Sequence, residues 1–218
     1  MLTQFEEELE KLKNRIIKMA DLALQQTNIA MQTLLYGDTG QTEIAEITEQ
    51  EIDKLDVKVD KLCQRILALK QPVAGDLRFI MSSFRIGSEL ERVGDIAMSI
   101  VNKSEIVRME PEIISKLNIE DVFQKSYFLI QKSFQNYTAY DAAIVSEVIS
   151  ESRILNDECK SVLDKVIIEM MQKGEIIRIA TNLIIILRQI DRLADHASNI
   201  AESIYFMNEG TIIKHGKI

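Results

Sequence analysis

Apolar residues recur at steps of three, four or seven along stretches of about thirty residues, and little in the chain interrupts them. The first stretch carries Phe5, Leu9, Leu12, Ile16, Met19, Ala23, Ala30 and Leu34. This is the spacing of one helix face, far too long for a strand. The 218 residues include only two prolines, eight glycines and no tryptophan, and they are rich in Leu, Ile, Glu, Lys, Gln and Met. The pattern predicts an all-α protein of long amphipathic helices.

The breaks set the expected boundaries. A first helix from about Leu2 to Tyr36 stops at Gly37-Asp38-Thr39-Gly40, a glycine followed by turn formers. A second, from about Thr42 to Leu69 with Ile52, Leu55, Val59, Leu62, Ile66 and Leu69 as its stripe, ends at Gln71-Pro72, because the residue before proline is pushed out of the α region. A third runs from about Ala74 to Val107 and breaks at Arg108-Met109-Glu110-Pro111. Further helices are expected at about Glu112–Tyr137, Ala142–Gln172 (with Leu155, Val162 and Val166 inward) and Ile176–Met207, before an aperiodic tail to Ile218.

The two halves echo each other at a constant offset of 100 residues. Glu51 matches Glu151, Leu55 Leu155, Arg78 Arg178, Ile86 Ile186, Arg92 Arg192, Asp95 Asp195, Ala97 Ala197 and Ile100 Ile200. Glu91 and Asp191 agree in chemistry, as do Asp56 and Asn156. The register predicts a duplication: one three-helix bundle over residues 1–108 and a second over 109–218, each up-down-up, with helices roughly 45 Å long. One continuous six-helix bundle is the alternative packing.

The echo carries the most informative residues. Glu91-Arg92-Val93-Gly94-Asp95 and Asp191-Arg192-Leu193-Ala194-Asp195 each place two carboxylates one helical turn apart. Such a pair costs a few tenths of a kcal/mol in repulsion. The first face continues through Ser99 and Asn102, the second through Asn199 and Glu202. On the second helix Glu49, Asp53, Asp56 and Asp60 form an acidic stripe beside the apolar one. Oxygen-rich sets suit Mg²⁺, Ca²⁺, Mn²⁺ and iron, and suit zinc or copper less well. The competing reading is a solvated face paired with Arg85, Arg92, Arg188 and Arg192. His196 points away from Asp191 by about 140° of helix rotation, which makes it a partner or surface residue rather than a ligand.

Composition removes other classes. The net charge of −8 argues against a nucleic-acid binder, because phosphate neutralisation needs a Lys/Arg surface. Met1–Glu8 has neither the basic nor the apolar region of a secretory signal, and the longest apolar run, Leu183 to Leu187, is far short of a membrane span. Cys63 and Cys159 lack metal-type spacing and read as buried free thiols in a reducing cytoplasm. There is no phosphate-binding glycine loop, nucleophile elbow or His-Glu-x-x-His motif, and two histidines supply little acid–base apparatus. Three readings remain: a non-enzymatic metal-binding regulator, a carboxylate-metal phosphohydrolase, and a purely structural helical interaction protein without metal.

Gln71-Pro72-Val73-Ala74-Gly75-Asp76-Leu77-Arg78, followed by Glu89-Leu90-Glu91-Arg92-Val93-Gly94-Asp95-Ile96-Ala97, closely resembles the PhoU family of phosphate-signalling proteins. The resemblance covers nearly the whole chain. The second motif departs from the family's pattern: Asp191 stands for Glu, and Leu193-Ala194 for Ile-Gly. The resemblance implies a cytoplasmic homodimer or higher oligomer with metal on the acidic motif of each bundle. The implied metal is divalent or trivalent, iron or zinc first, with Mg, Mn and Ca also compatible. By the same analogy Glu91, Asp95, Asp191, Asp195 and Asn199 are the ligands; Asp53, Asp56 and Asp60 join them by periodicity only. The family's role implies negative regulation of phosphate uptake and of the phosphate-starvation response. Its partners would be the ATPase subunit of the phosphate ABC transporter and the phosphate sensor histidine kinase, with membrane contact through those partners alone.

Overall fold

The computed structural model describes residues 3–213 and is helical, with no strand among them. The helices are α1 (Gln4–Tyr36), α2 (Thr42–Lys70), α3 (Ala74–Val107), α4 (Pro111–Lys116), α5 (Ile119–Thr138), α6 (Ala142–Gln172) and α7 (Ile177–Glu209). The expected starting residue Leu2 and the tail from Lys214 onward, with His215, lie outside the described residues. No helix among them is long and apolar enough to cross a membrane.

Local chemistry explains the boundaries. Thr3 caps α1 through a reciprocal pair: Glu6 N donates to Thr3 Oγ1 at 3.3 Å and Thr3 N donates to Glu6 Oε2 at 2.6 Å. Gly37 ends α1 in the left-handed conformation (φ 73°), its N–H donating to Thr33 O at 3.1 Å. Arg108, just past α3, packs on that glycine and donates from Nη1 to Leu35 O at 2.7 Å. α2 stops at Lys70 as expected, but Gln71 turns left-handed (φ 46°) instead of extended, and Ala74 does the same (φ 43°). Each costs roughly 1–2 kcal/mol of backbone strain.

Two expectations are corrected. The single helix over Glu112–Tyr137 is divided into α4 and α5 by Asn118 at φ 54°. Asparagine tolerates this conformation better than other non-glycine residues, and it lets the chain turn into α5. Leu69 is 71% exposed instead of closing the α2 stripe, at the last turn of the helix.

The helices pack as two groups on one continuous core. α1, α2 and α3 contact one another, and α5, α6 and α7 do likewise; α3 lies along α7, and α1 touches α5. α1, α3, α5 and α7 therefore form the centre, with α2 and α6 on opposite flanks. Leu12, Ile16, Met19, Ile52, Ile66, Ile86, Leu90, Leu183, Ile190 and Ile200 are among the side chains wholly removed from water. Between the groups, Tyr137 of α5 meets Ser83 of α3 (Oη to Oγ, 3.4 Å).

α3 and α7 run antiparallel. Gln189 Nε2 donates to Ser99 Oγ at 3.4 Å, Asn199 Nδ2 donates to Glu89 Oε2 at 3.1 Å, and the Arg85 guanidinium lies 5.8 Å from the Phe206 ring centroid. The first two pairs exchange when 100 is added to one member and subtracted from the other. The seam thus has local two-fold pseudo-symmetry centred near Gly94 and Ala194.

Replacing Gly37 tests the α1–α3 corner. Gly37→Ala forces a side chain into the left-handed region and against the Arg108 guanidinium, 2.7 Å from its Nη2. A loss of roughly 1–2 kcal/mol in unfolding free energy is expected by denaturant titration. Gly75→Ala, where an added Cβ meets nothing within 4 Å, is expected to be neutral or stabilising by up to about 1 kcal/mol.

Candidate metal centre

The first acidic face is built by α2 and α3. Glu49, Asp53, Asp56 and Asp60 fall at i, i+4, i+7 and i+11, so all four lie on the flank of α2 that borders its core stripe. Glu91 and Asp95 stand one turn apart on α3 and face them. Gly94 allows the approach: a Cβ there would lie 2.9 Å from Ile52 Cδ1 and 3.3 Å from Glu49 Oε2. Beneath the acids the fully buried Gln26 of α1 donates from Nε2 to Ala45 O at 3.0 Å and toward Glu49 Oε2 at 3.4 Å.

The six carboxylates act on one another. Burial pushes the Glu49 carboxyl up to about 8, reinforced by a hydrogen bond with Asp95 and by the charges of Asp95, Asp53 and Glu91. Burial raises Glu91, with Asp95, Asp56 and Asp53 adding to it and Arg92 opposing. Asp56 is raised by burial, then by Asp60 and Asp53. Each raised value records that a negative charge there is disfavoured. The structure therefore brings Glu91, Asp95, Asp53 and Asp56 together, with Asp60 at the margin. It adds Glu49, which was legible as a stripe member but not as the most strongly perturbed acid of the group.

The second acidic face lies between α6 and α7. Asn156 Nδ2 donates to Asp195 Oδ1 at 2.9 Å. Burial raises Asp191, as does Asp195, while Arg188 and Lys160 oppose it. Asn199 lines the same cleft but turns its amide across the seam to Glu89.

His196 proves to be a partner residue and is only 6% exposed, so it is not a surface residue. Its Nδ1 lies 2.6 Å from Glu89 Oε2. Burial alone would raise Glu89, but hydrogen bonds from His196 and Asn199 hold it below the ordinary range. Sequence gave no sign of this bridge, since its members are 107 residues apart and on different helices. The buried thiols of Cys63 and Cys159 are pushed up to about 12, chiefly by burial, so neither offers a thiolate ligand.

Among the described residues no three Asp, Glu, His or Cys side chains converge as a finished metal cage. The donors of the first face nevertheless fit a hard cation: they are all oxygens, partly buried, and repel one another. In the second face Asp191 and Asp195 have the Asn156 amide and the cations Arg188 and Lys160 about them, with Asp157 and Glu202 nearby, a donor set less uniform than the first.

A PhoU domain matches residues 16–104 and 119–204. The phosphate-specific transport system accessory protein PhoU homolog of Pseudomonas aeruginosa is 30% identical over 216 residues, covering 97% of this chain and 88% of that protein. The homolog from Aquifex aeolicus is also 30% identical, covering 97% and 96%. The crystal structure of PhoU from Pseudomonas aeruginosa superposes with a TM-score of 0.87 at 27% identity, covering 95% of this chain and all of that one. The phosphate transport system regulatory protein PhoU from Streptococcus pneumoniae shares the fold (TM-score 0.84, 21% identity). With a family domain matched in both halves and relatives alike over almost its full length, this chain belongs to the PhoU family.

Proposed function

We propose that this chain is a non-enzymatic regulator of phosphate homeostasis that holds a divalent or trivalent metal on the α2–α3 face. The family membership supports the first part, since the relatives are named as accessory proteins of the phosphate-specific transport system. The observation that carries the second is the convergence of the α2 acids on Glu91 and Asp95, with Glu49 Oε2 only 3.3 Å from where a Cβ on Gly94 would lie; burial first, and then the neighbouring carboxylates, raise Glu49, Asp56 and Glu91. A bound cation would offset this repulsion. Glu91 and Asp95 from α3, with Glu49, Asp53 and Asp56 from α2, supply the ligands; iron leads among the candidate ions, with zinc, manganese, magnesium and calcium behind it. Bound metal supplies charge neutralisation and a cationic patch on an acidic protein.

In this reading the protein works in the cytoplasm as a homodimer or larger oligomer. It restrains phosphate uptake and starvation signalling by docking on the transporter's ATPase subunit and on the sensor histidine kinase. The His196 imidazole is engaged by Glu89 across the seam, and the accessory role printed for the relatives favours the non-enzymatic reading.

Two predictions follow from this face. The double variant Glu91→Gln/Asp95→Asn should lose bound metal by elemental analysis and fail to repress a phosphate-starvation reporter. Its metal-free form should melt higher by roughly 1–3 °C, because several repulsions of a few tenths of a kcal/mol are relieved. A variant that keeps its metal and represses normally would refute the proposal.

The pH dependence has a definite sign. Glu49 titrates near 8 when folded, against an ordinary 4.5. The folded state therefore binds more protons between those values, and its advantage shrinks as pH rises. Chelator-treated protein is expected to lose melting temperature steadily from pH 5 to pH 8, and Glu49→Gln is expected to flatten that slope. A melting temperature that climbs over this range in the parent protein would contradict the electrostatics assigned to the face.

A further inference from the structure

The duplication supplies its own control. Each acid on α2 has a counterpart on α6 at the same offset of 100 that aligns the motifs. Glu49 becomes Ile149, Asp53 becomes Arg153, Asp56 becomes Asn156 and Asp60 becomes Lys160. Four negative charges are replaced by two positive ones and two neutral side chains. Gly94, which lets Glu49 approach α3, becomes Ala194. The α7 pair, Asp191 and Asp195, is retained, but it now looks at a different helix.

The contacts bear the substitutions out. Arg153 and Asn156 line the α6–α7 cleft with Asp195, Asn199 and Glu202. The Asn156 amide donates to Asp195 at 2.9 Å. The Lys160 ammonium, 2.9 Å from Asp157 Oδ1, also acts on Asp191, as does Arg188, both opposing the rise that burial, Asp195 and Asp157 produce. In the first face the α2 groups that act on Glu91 are all acids. Asn156 Oδ1 and Asp191 Oδ1 are buried without a hydrogen-bond partner. Both are acceptors that any single donor satisfies, and neither demands a multivalent ion.

We infer that metal binding is confined to the first half of this chain, and that in the second half Arg153, Lys160 and the Asn156 amide occupy the role that metal has in the first. Asp191, Asp195 and Asn199 are then not ligands. They belong to a cleft whose α6 side supplies cations and an amide at positions that carry acids on α2. The inference rests on the reading of the α2–α3 face proposed above. A multivalent cation entering the α6–α7 cleft would meet Arg153 on its lining and the Lys160 ammonium acting on Asp191, where the corresponding α2 positions offer carboxylates.

The test uses Mn²⁺ as the probe on full-length, chelator-stripped protein, with bound ions counted by electron paramagnetic resonance and melting followed in parallel. Asp191→Asn/Asp195→Asn is expected to keep both the number of ions per chain and the metal-induced rise in melting temperature. Glu91→Gln/Asp95→Asn is expected to lose both. Rebuilding the first face in the second half, with Ile149→Glu, Arg153→Asp, Asn156→Asp, Lys160→Asp and Ala194→Gly, is expected to add ions per chain. Circular dichroism shows whether each variant remains helical. A fall in bound Mn²⁺ on changing Asp191 and Asp195, or no gain in the rebuilt variant, would overturn the inference while leaving the first face intact. A parent protein that binds no Mn²⁺ would instead refute the reading of the first face, and this inference with it.

Discussion

The antiparallel contact of α3 with α7 is the constraint on which the rest of the structure depends. It joins two three-helix groups into one core, and it fixes where each acidic motif can look. The buried residues Val93, Ile96, Ala97, Leu193, Ala194 and Ala197 sit around the point where the two helices are related by pseudo-symmetry. Because their core faces point inward, Glu91 and Asp95 are left to face α2, and Asp191 and Asp195 to face α6. The acidic motifs are thus set apart on opposite flanks of the seam and do not merge into one site.

A shared plan need not give two equal sites. The seam itself shows how pseudo-symmetry decays. Ser99–Gln189 and Glu89–Asn199 occupy equivalent positions, yet the second pair has recruited His196 into a buried ion-pair-like bridge where the first has Ile96. The flanks diverge further. On α2 the stripe sets Glu49, Asp53, Asp56 and Asp60 beside Glu91 and Asp95; on α6 the same positions carry Ile149, Arg153, Asn156 and Lys160.

Much of the fold was legible because helical period and breakers are local signals. α1, α2, α3, α6 and α7 start and stop within a residue or two of where the apolar spacing, Gly37, Pro72 and Gly174 put them. The α4–α5 break was not legible, since one asparagine inside a continuing period gives no reason to expect a left-handed residue. The site was legible in part. The pairs Glu91/Asp95 and Asp191/Asp195 stand out by spacing, and the acidic stripe shows which face of α2 is polar. The prominence of Glu49 depends on burial over Gln26 and on the gap left by Gly94, which is tertiary information. The Glu89–His196 bridge is wholly so. The family resemblance assigns the same role to two motifs whose neighbours at equivalent positions of α2 and α6 differ, Asp53 and Asp60 against Arg153 and Lys160.

The most direct test of the central claim is a crystal structure of the protein equilibrated with Mn²⁺ or Fe²⁺, with anomalous difference maps recorded at the metal's absorption edge. Peaks among Glu49, Asp53, Asp56, Glu91 and Asp95, with none between α6 and α7, are the predicted result. A map without a peak on the α2–α3 face, or with equal peaks beside Asp191 and Asp195, would contradict the account.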